Sequence, residues 1–207
     1  RFLLNHKVEV LDSFWFGNGD GTFQKATSAL AGSFMHPSNG SVACDYDNDG
    51  DLDIFVSTYG VSAAKGHNIL WENQGENFIN VAAERGFHAL EGGNYWLATT
   101  GFGKDAEGVP KAEWMGSNGF GIACEDINGD GFLDIYLATI SHPVDGDYSR
   151  KWSDPSQVLI NQGPEGNYSF ENQFQELGLP FNEGDIDAAA IDFDNDGRMD
   201  LAVTRAS

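Results

Sequence analysis

The chain has 207 residues, 26 of them glycine, and 13% are Phe, Trp or Tyr; many glycines among strand-forming aromatics exclude a helical bundle and point to an all-β protein. With 32 acidic against 11 basic residues the formal net charge is −21, which argues against nucleic acid or an anionic membrane surface as a partner. No run approaches the roughly 18 apolar residues of a spanning helix, so no membrane insertion is expected; no signal peptide is evident, and a chain opening on Arg1 reads as a processed or incomplete product.

In chain order, Phe14 to Phe23 (FWFGNGDGTF) sets aromatic strand ends about a Gly-rich turn and predicts a hairpin. The same device returns at Asn68 to Phe78, and again from Gln157 to Gly163, closing at Tyr168-Ser169-Phe170. A small apolar stretch ending in Gly follows each: Ala29 to Gly32, Ala82 to Gly86, and Glu176 to Gly178.

Between these hairpins lie three acidic loops. Loop 1 places Asp45, Asp47, Asp49 and Asp53 at positions 1, 3, 5 and 9, with Gly50 at position 6 and the carbonyl of Asp51 available at position 7. Loop 2 has Asp126, Asn128, Asp130 and Asp134 at the same positions, with Phe132 at position 7. Loop 3 has Asp192, Asp194, Asp196 and Asp200, with Arg198 at position 7. Carboxylates at this spacing repel one another unless a cation sits among them, and oxygen-only ligation suits Ca2+ better than zinc, copper or Mg2+. Three Ca2+ sites are therefore expected, which would leave a net charge of about −15 from the initial −21. An Asp/Gly-rich solvated turn does not explain four oxygen positions kept three times.

An EF-hand loop needs a bidentate Glu at position 12 and flanking helices. Here position 12 is Val56, Leu137 and Val203, and each loop runs into a β-rich apolar segment. The loop joins strands.

The unit is thus strand, acidic loop, strand, connection, strand, Gly-rich turn, strand, and its first Asp recurs from position 45 to 126 to 192, after 81 and then 66 residues. Four strands per unit make a propeller blade. The expected division is the second half of a blade at 1–40, a blade with an insertion at 41–118, a blade at 119–183 and the first half of a blade at 184–207. About three blades do not close a ring, so further blades or a neighbouring chain are expected to complete it. The uneven period reflects two insertions, Ala89 to Asn118 and Ile140 to Ser156, whose aromatics suit either a contact surface or small cores of their own.

Cys44 and Cys124 each precede an acidic loop but lie one residue out of step, and so on opposite strand faces. Two buried free thiols are the expectation, a disulfide the less favoured alternative.

The DxDxDGxxD loops flowing into apolar strands, with hairpins of the NxxxWxNQGxxxF kind, resemble the FG-GAP/VCBS repeats of integrin α-chain-type β-propellers and of secreted proteins of the cartilage-acidic-protein type. The resemblance implies a seven-bladed ring in which the loop between the first two strands of a blade binds Ca2+ through Asp45, Asp47, Asp49, Asp53 and their counterparts. Asn128 departs from the pattern by replacing an Asp, leaving a weaker site unless the neighbouring Glu125 compensates.

No GxSxG, P-loop or HExxH occurs, and His6, His36, His67, His88 and His142 are scattered along the chain. No catalytic role is expected, because the conspicuous acid pairs are committed to metal. Asn39-Gly40-Ser41 and Asn167-Tyr168-Ser169 fit the glycosylation sequon, both expected in turns. The expectation is a non-catalytic, calcium-stabilised extracellular, secreted or cell-surface propeller for adhesion or assembly through protein contacts. The alternative is a carbohydrate-binding or carbohydrate-active module with glycans as partners.

Overall fold

The computed structural model describes residues 13–25, 38–58, 67–75, 77–88, 119–139, 155–180 and 184–205. Both insertions fall almost wholly outside these residues, as do the stretch Ala29 to Gly32 and His6, His36 and His142.

The described residues form twelve strands and little helix. The hairpin expected at the start is β1 (Trp15–Gly17) paired with β2 (Phe23–Lys25). Then β3 (Ser38–Cys44), β4 (Asp53–Thr58), β5 (Ile69–Asn73) and β6 (Phe78–Asn80) form a four-stranded antiparallel sheet in chain order. The short helix α1 (Ala82–Arg85) follows, closed by Gly86 at φ 80°. A second sheet of the same order comprises β7 (Gly119–Glu125), β8 (Asp134–Thr139), β9 (Gln157–Asn161) and β10 (Phe170–Asn172). Finally β11 (Asp185–Ile191) pairs with β12 (Asp200–Arg205). Up-and-down four-stranded sheets are what propeller-like blades are made of.

Each acidic loop joins the first two strands of its sheet, and the hydrophobic segments after the loops are β4, β8 and β12. The cores lie between sheets. Cys44, Tyr46, Phe55 and Leu70 pack with Ile135, Leu137, Leu159 and Phe170 of the second sheet. On its other side, Tyr136, Val158, Ile160 and Phe174 meet Ala188, Leu201 and Val203 of the last hairpin. Every residue of β8 and β9 is consequently buried, whereas β12 alternates between half-buried and exposed, as a strand packed on one face must.

The first strands β3, β7 and β11 approach side by side. Each carries a register shift at the same place: Ser38/Ser41, Gly119/Ile122 and Asp185/Asp187. Gly40 and Gly121 mark the tightest points, since a Cβ on Gly40 would lie 2.1 Å from the Phe120 carbonyl oxygen and one on Gly121 2.1 Å from Asp187 Oδ1. Glycine is needed there to admit the neighbouring strand.

The expectation of free thiols is overturned. Cys44 and Cys124 form a disulfide between β3 and β7, with Cα atoms 6.7 Å apart. The residues do lie on opposite faces of their own strands, but stacked sheets turn opposite faces toward each other. The one-residue offset therefore brings the two sulfurs together rather than separating them.

Candidate metal loops

The three loops share one hydrogen-bonding plan. The position 1 carboxylate accepts the backbone N–H groups of positions 5 and 6: Asp49 and Gly50 donate to Asp45 at 3.0 Å each, Asp130 and Gly131 to Asp126 at 3.0 and 2.9 Å, and Asp196 and Gly197 to Asp192 at 3.0 and 2.9 Å. Position 3 accepts the position 5 N–H, with Asp47, Asn128 and Asp194 as acceptors at 3.3, 2.9 and 3.1 Å. Position 5 accepts the N–H of position 7, so Asp49, Asp130 and Asp196 each hold Asp51, Phe132 or Arg198 at 2.9 Å. The chain can turn this tightly because positions 4 and 6 take left-handed backbone angles, such as Asn48 at φ 57° and Gly50 at φ 96°.

Position 9 closes each loop from the strand that follows. Asp53 accepts the N–H of Tyr46 at 3.4 Å and of Asn73 at 2.8 Å. Asp134 accepts those of Ile127 and Asn161, both at 2.9 Å, and Asp200 that of Phe193 at 3.0 Å. Burial pushes the Asp53 carboxyl up to about 7 and Asp134 up to about 6. Asp47 is raised too, by burial and then by its neighbour Asp49.

The loops differ in how they gather charge. Oxygens of Asp45, Asp47 and Asp49 lie within 4.8 Å of one another in loop 1, and so do those of Asp192, Asp194 and Asp200 in loop 3. Such all-oxygen donor sets fit a hard divalent cation. Among the described residues loop 2 gathers no such acidic trio. There the Asn128 amide donates to Asp130 Oδ2 at 2.9 Å, and Glu125 stands at the end of β7 opposite Asp134. In loop 3 the side chain of Arg198, which sequence reasoning assigns only a carbonyl role, grips Asp196 through Nε at 2.9 Å and through Nη2. Asp196 stands outside the trio.

Residues missed by the sequence reading support the loops from behind. Tyr46, at position 2 of loop 1, is fully buried; its hydroxyl donates to Glu72 at 2.5 Å and accepts from Arg85 Nε at 3.0 Å. Arg85 also pairs with Glu72 at 2.9 Å and donates to the Asn167 carbonyl at 2.7 Å. Burial raises the Tyr46 hydroxyl; it also pushes Glu72 up, but hydrogen bonds from Tyr46, Arg85 and Gln74 outweigh it and leave Glu72 below its ordinary value. The repeated NQG of the hairpins is a sequence signal for a further support, since the backbone N–H groups of its Asn73 and Asn161 are among the donors to position 9.

The sequons part company. Asn167 is exposed in the β9–β10 turn at φ 55°, as expected. Asn39 lies not in a turn but within β3, and its amide donates to the Gly119 carbonyl at 3.1 Å. The register shift between Ser38 and Ser41 lets a strand start where the Asn-Gly-Ser triplet suggests a turn. The histidines are less scattered than expected: His67 and His88 stack with ring centroids 3.8 Å apart, away from the acidic loops, and burial lowers the pKa of His88.

Compared with known protein families, the chain matches the FG-GAP-like repeat over residues 8–56 and 126–203, together more than half its length. No curated protein matches it.

Proposed function

The chain belongs to the FG-GAP-like repeat family, a propeller-type interaction module, and from that premise we propose that it is a calcium-binding, non-catalytic module that works outside the cell through protein contacts. The observation that carries the reading is the shared plan of the three loops, in which backbone N–H groups hold the oxygens of positions 1, 3 and 5 close together, as in loop 1. A divalent ion among them would relieve the mutual repulsion of Asp45, Asp47 and Asp49.

The Cys44–Cys124 bond supports an oxidising, extracellular address. Among the described residues no helix is long and apolar enough to cross a membrane. Protein contact is supported by the last hairpin. Phe193 is 81% exposed at the position where loop 1 has the fully buried Tyr46, and Ile191 and Met199 are exposed beside it. A further sheet of the same kind, or a partner protein, would cover that face as the second sheet covers Tyr46.

Calorimetric titration of the chelated chain with calcium chloride tests the reading. Saturable binding is expected; absence of binding at millimolar calcium would sink it. A rise in melting temperature on adding glycans, with none on adding calcium, would favour the carbohydrate-binding alternative.

A further inference from the structure

Loops 1 and 2 are tied to each other across the sheet interface, whereas among the described residues the hydrogen bonds of loop 3 stay within its own hairpin. We propose that loops 1 and 2 take up their cations as a coupled pair, with Asn161 and Asn48 carrying the coupling, and that loop 3 fills independently. The proposal rests on the reading of the loops as calcium sites.

Asn161 is the main link. It is 2% exposed at the end of β9, and every hydrogen-bonding group it has, apart from its own carbonyl, is engaged at the two loops or at the adjoining turn. Its backbone N–H donates to Asp134 Oδ1 at 2.9 Å, the position 9 carboxylate of loop 2. Its amide donates to the Tyr46 carbonyl at 2.8 Å and the Leu133 carbonyl at 3.1 Å, and its Oδ1 accepts the Gly163 N–H at 3.0 Å. Tyr46 is the residue between the ligands Asp45 and Asp47. Any shift of that segment as loop 1 closes on an ion must either break a buried hydrogen bond or move Asn161, and with it the carboxylate of Asp134.

Asn48 supplies a second tie on the exposed side. Its amide donates to the Gly131 carbonyl at 3.3 Å, joining position 4 of loop 1 to the residue after the ligand Asp130. Among the described residues the counterpart of Asn161 in the first sheet makes no such crossing: Asn73 donates to Asp53 at 2.8 Å, and its amide turns back to the Leu52 carbonyl of its own sheet at 3.4 Å.

The coupling has a direction of use. Loop 2 has Asn128 where the others have Asp, so its own hold on a cation is the weaker, and occupancy of loop 1 supplies part of the ordering that loop 2 lacks. Linkage makes the effect reciprocal: whatever loop 1 contributes to loop 2, loop 2 returns.

Hydrogen exchange of the 207-residue chain over a calcium series, following peptides from the three loops, tests this. Loops 1 and 2 are expected to gain protection over one shared range. Asp47→Ala should move the loop 2 midpoint to higher calcium by about fivefold or more, and the loop 3 midpoint by less than about twofold. Asp130→Ala should shift loop 1 in return, and Asn48→Gly, which suits the left-handed angle but lacks the amide, should shrink both effects. A loop 2 midpoint that does not move in Asp47→Ala, together with an unmoved loop 1 in Asp130→Ala, overturns the coupling while leaving the calcium sites standing. No protection at any loop at millimolar calcium overturns both.

Discussion

Cys44 and Cys124 are 80 residues apart in sequence and belong to different sheets, yet a disulfide joins them where β3 and β7 run side by side. The bond fastens the two four-stranded sheets at the entrances to loops 1 and 2. Closing so long a loop restricts the unfolded chain, and such bonds contribute about 2–4 kcal/mol. Replacing both cysteines by serine, or reducing the bond, is expected to lower the unfolding free energy by that amount, seen as a lower denaturation midpoint. A midpoint unchanged by reductant would show that packing alone holds the sheets together.

Tyr46 concentrates much of the interface between those sheets. Its ring packs edge-on to Phe55 with centroids 5.7 Å apart and lies 5.8 Å from Phe170, while its hydroxyl bridges Glu72 and Arg85. Tyr46→Phe keeps the packing and leaves the Glu72–Arg85 pair, so a loss of about 1–3 kcal/mol is expected from the missing hydroxyl. Tyr46→Ala should cost about 3–5 kcal/mol, because a cavity opens as well. Equal losses in urea denaturation of the two variants would contradict this division.

The sheets, the loop-to-strand transitions and the hairpins were legible in the sequence because each rests on local chemistry. Runs of apolar residues after Asp53, Asp134 and Asp200 make strands, and Gly with Asn or Asp makes the turns. What was not legible depends on how sheets stack. Nothing local says that opposite faces of β3 and β7 meet, and so the disulfide was missed. Asn161 carries no local signal for its role, because its partner Tyr46 lies 115 residues away. Arg198 could have been suspected, since a cation two residues after Asp196 is within reach of its carboxylate.

On the proposed calcium reading, Arg198 would compete with the ion for Asp196. Its side chain is 83% exposed, so water screens the pair and leaves it weak. Arg198→Ala is therefore expected to tighten calcium binding at loop 3 modestly, without touching loops 1 and 2. Site-resolved titration by NMR would show it; weaker binding at loop 3 in the variant would mean that the guanidinium steadies the loop instead of blocking it.

On the proposed calcium reading, calcium and protons would compete for the position 9 carboxylates. Burial raises Asp53 to about 7 and Asp134 to about 6, above the ordinary 3.8 of an unfolded chain. A carboxyl whose folded-state value is raised favours the fold while protonated: that contribution is complete below the unfolded value and is lost as pH rises through the folded value. For the metal-free chain the window thus runs from about pH 4 to about pH 7, and stability should fall as pH climbs through it. A cation held nearby favours the ionised form and reverses the sign, so calcium binding at pH 6 should release protons, and binding at pH 8 should release almost none. Calorimetry at each pH in two buffers of different ionisation enthalpy measures the release directly. Equal proton release at pH 6 and pH 8 would show that Asp53 and Asp134 stay ionised in the metal-free loops, held by the N–H groups of Asn73 and Asn161 against the cost of their burial.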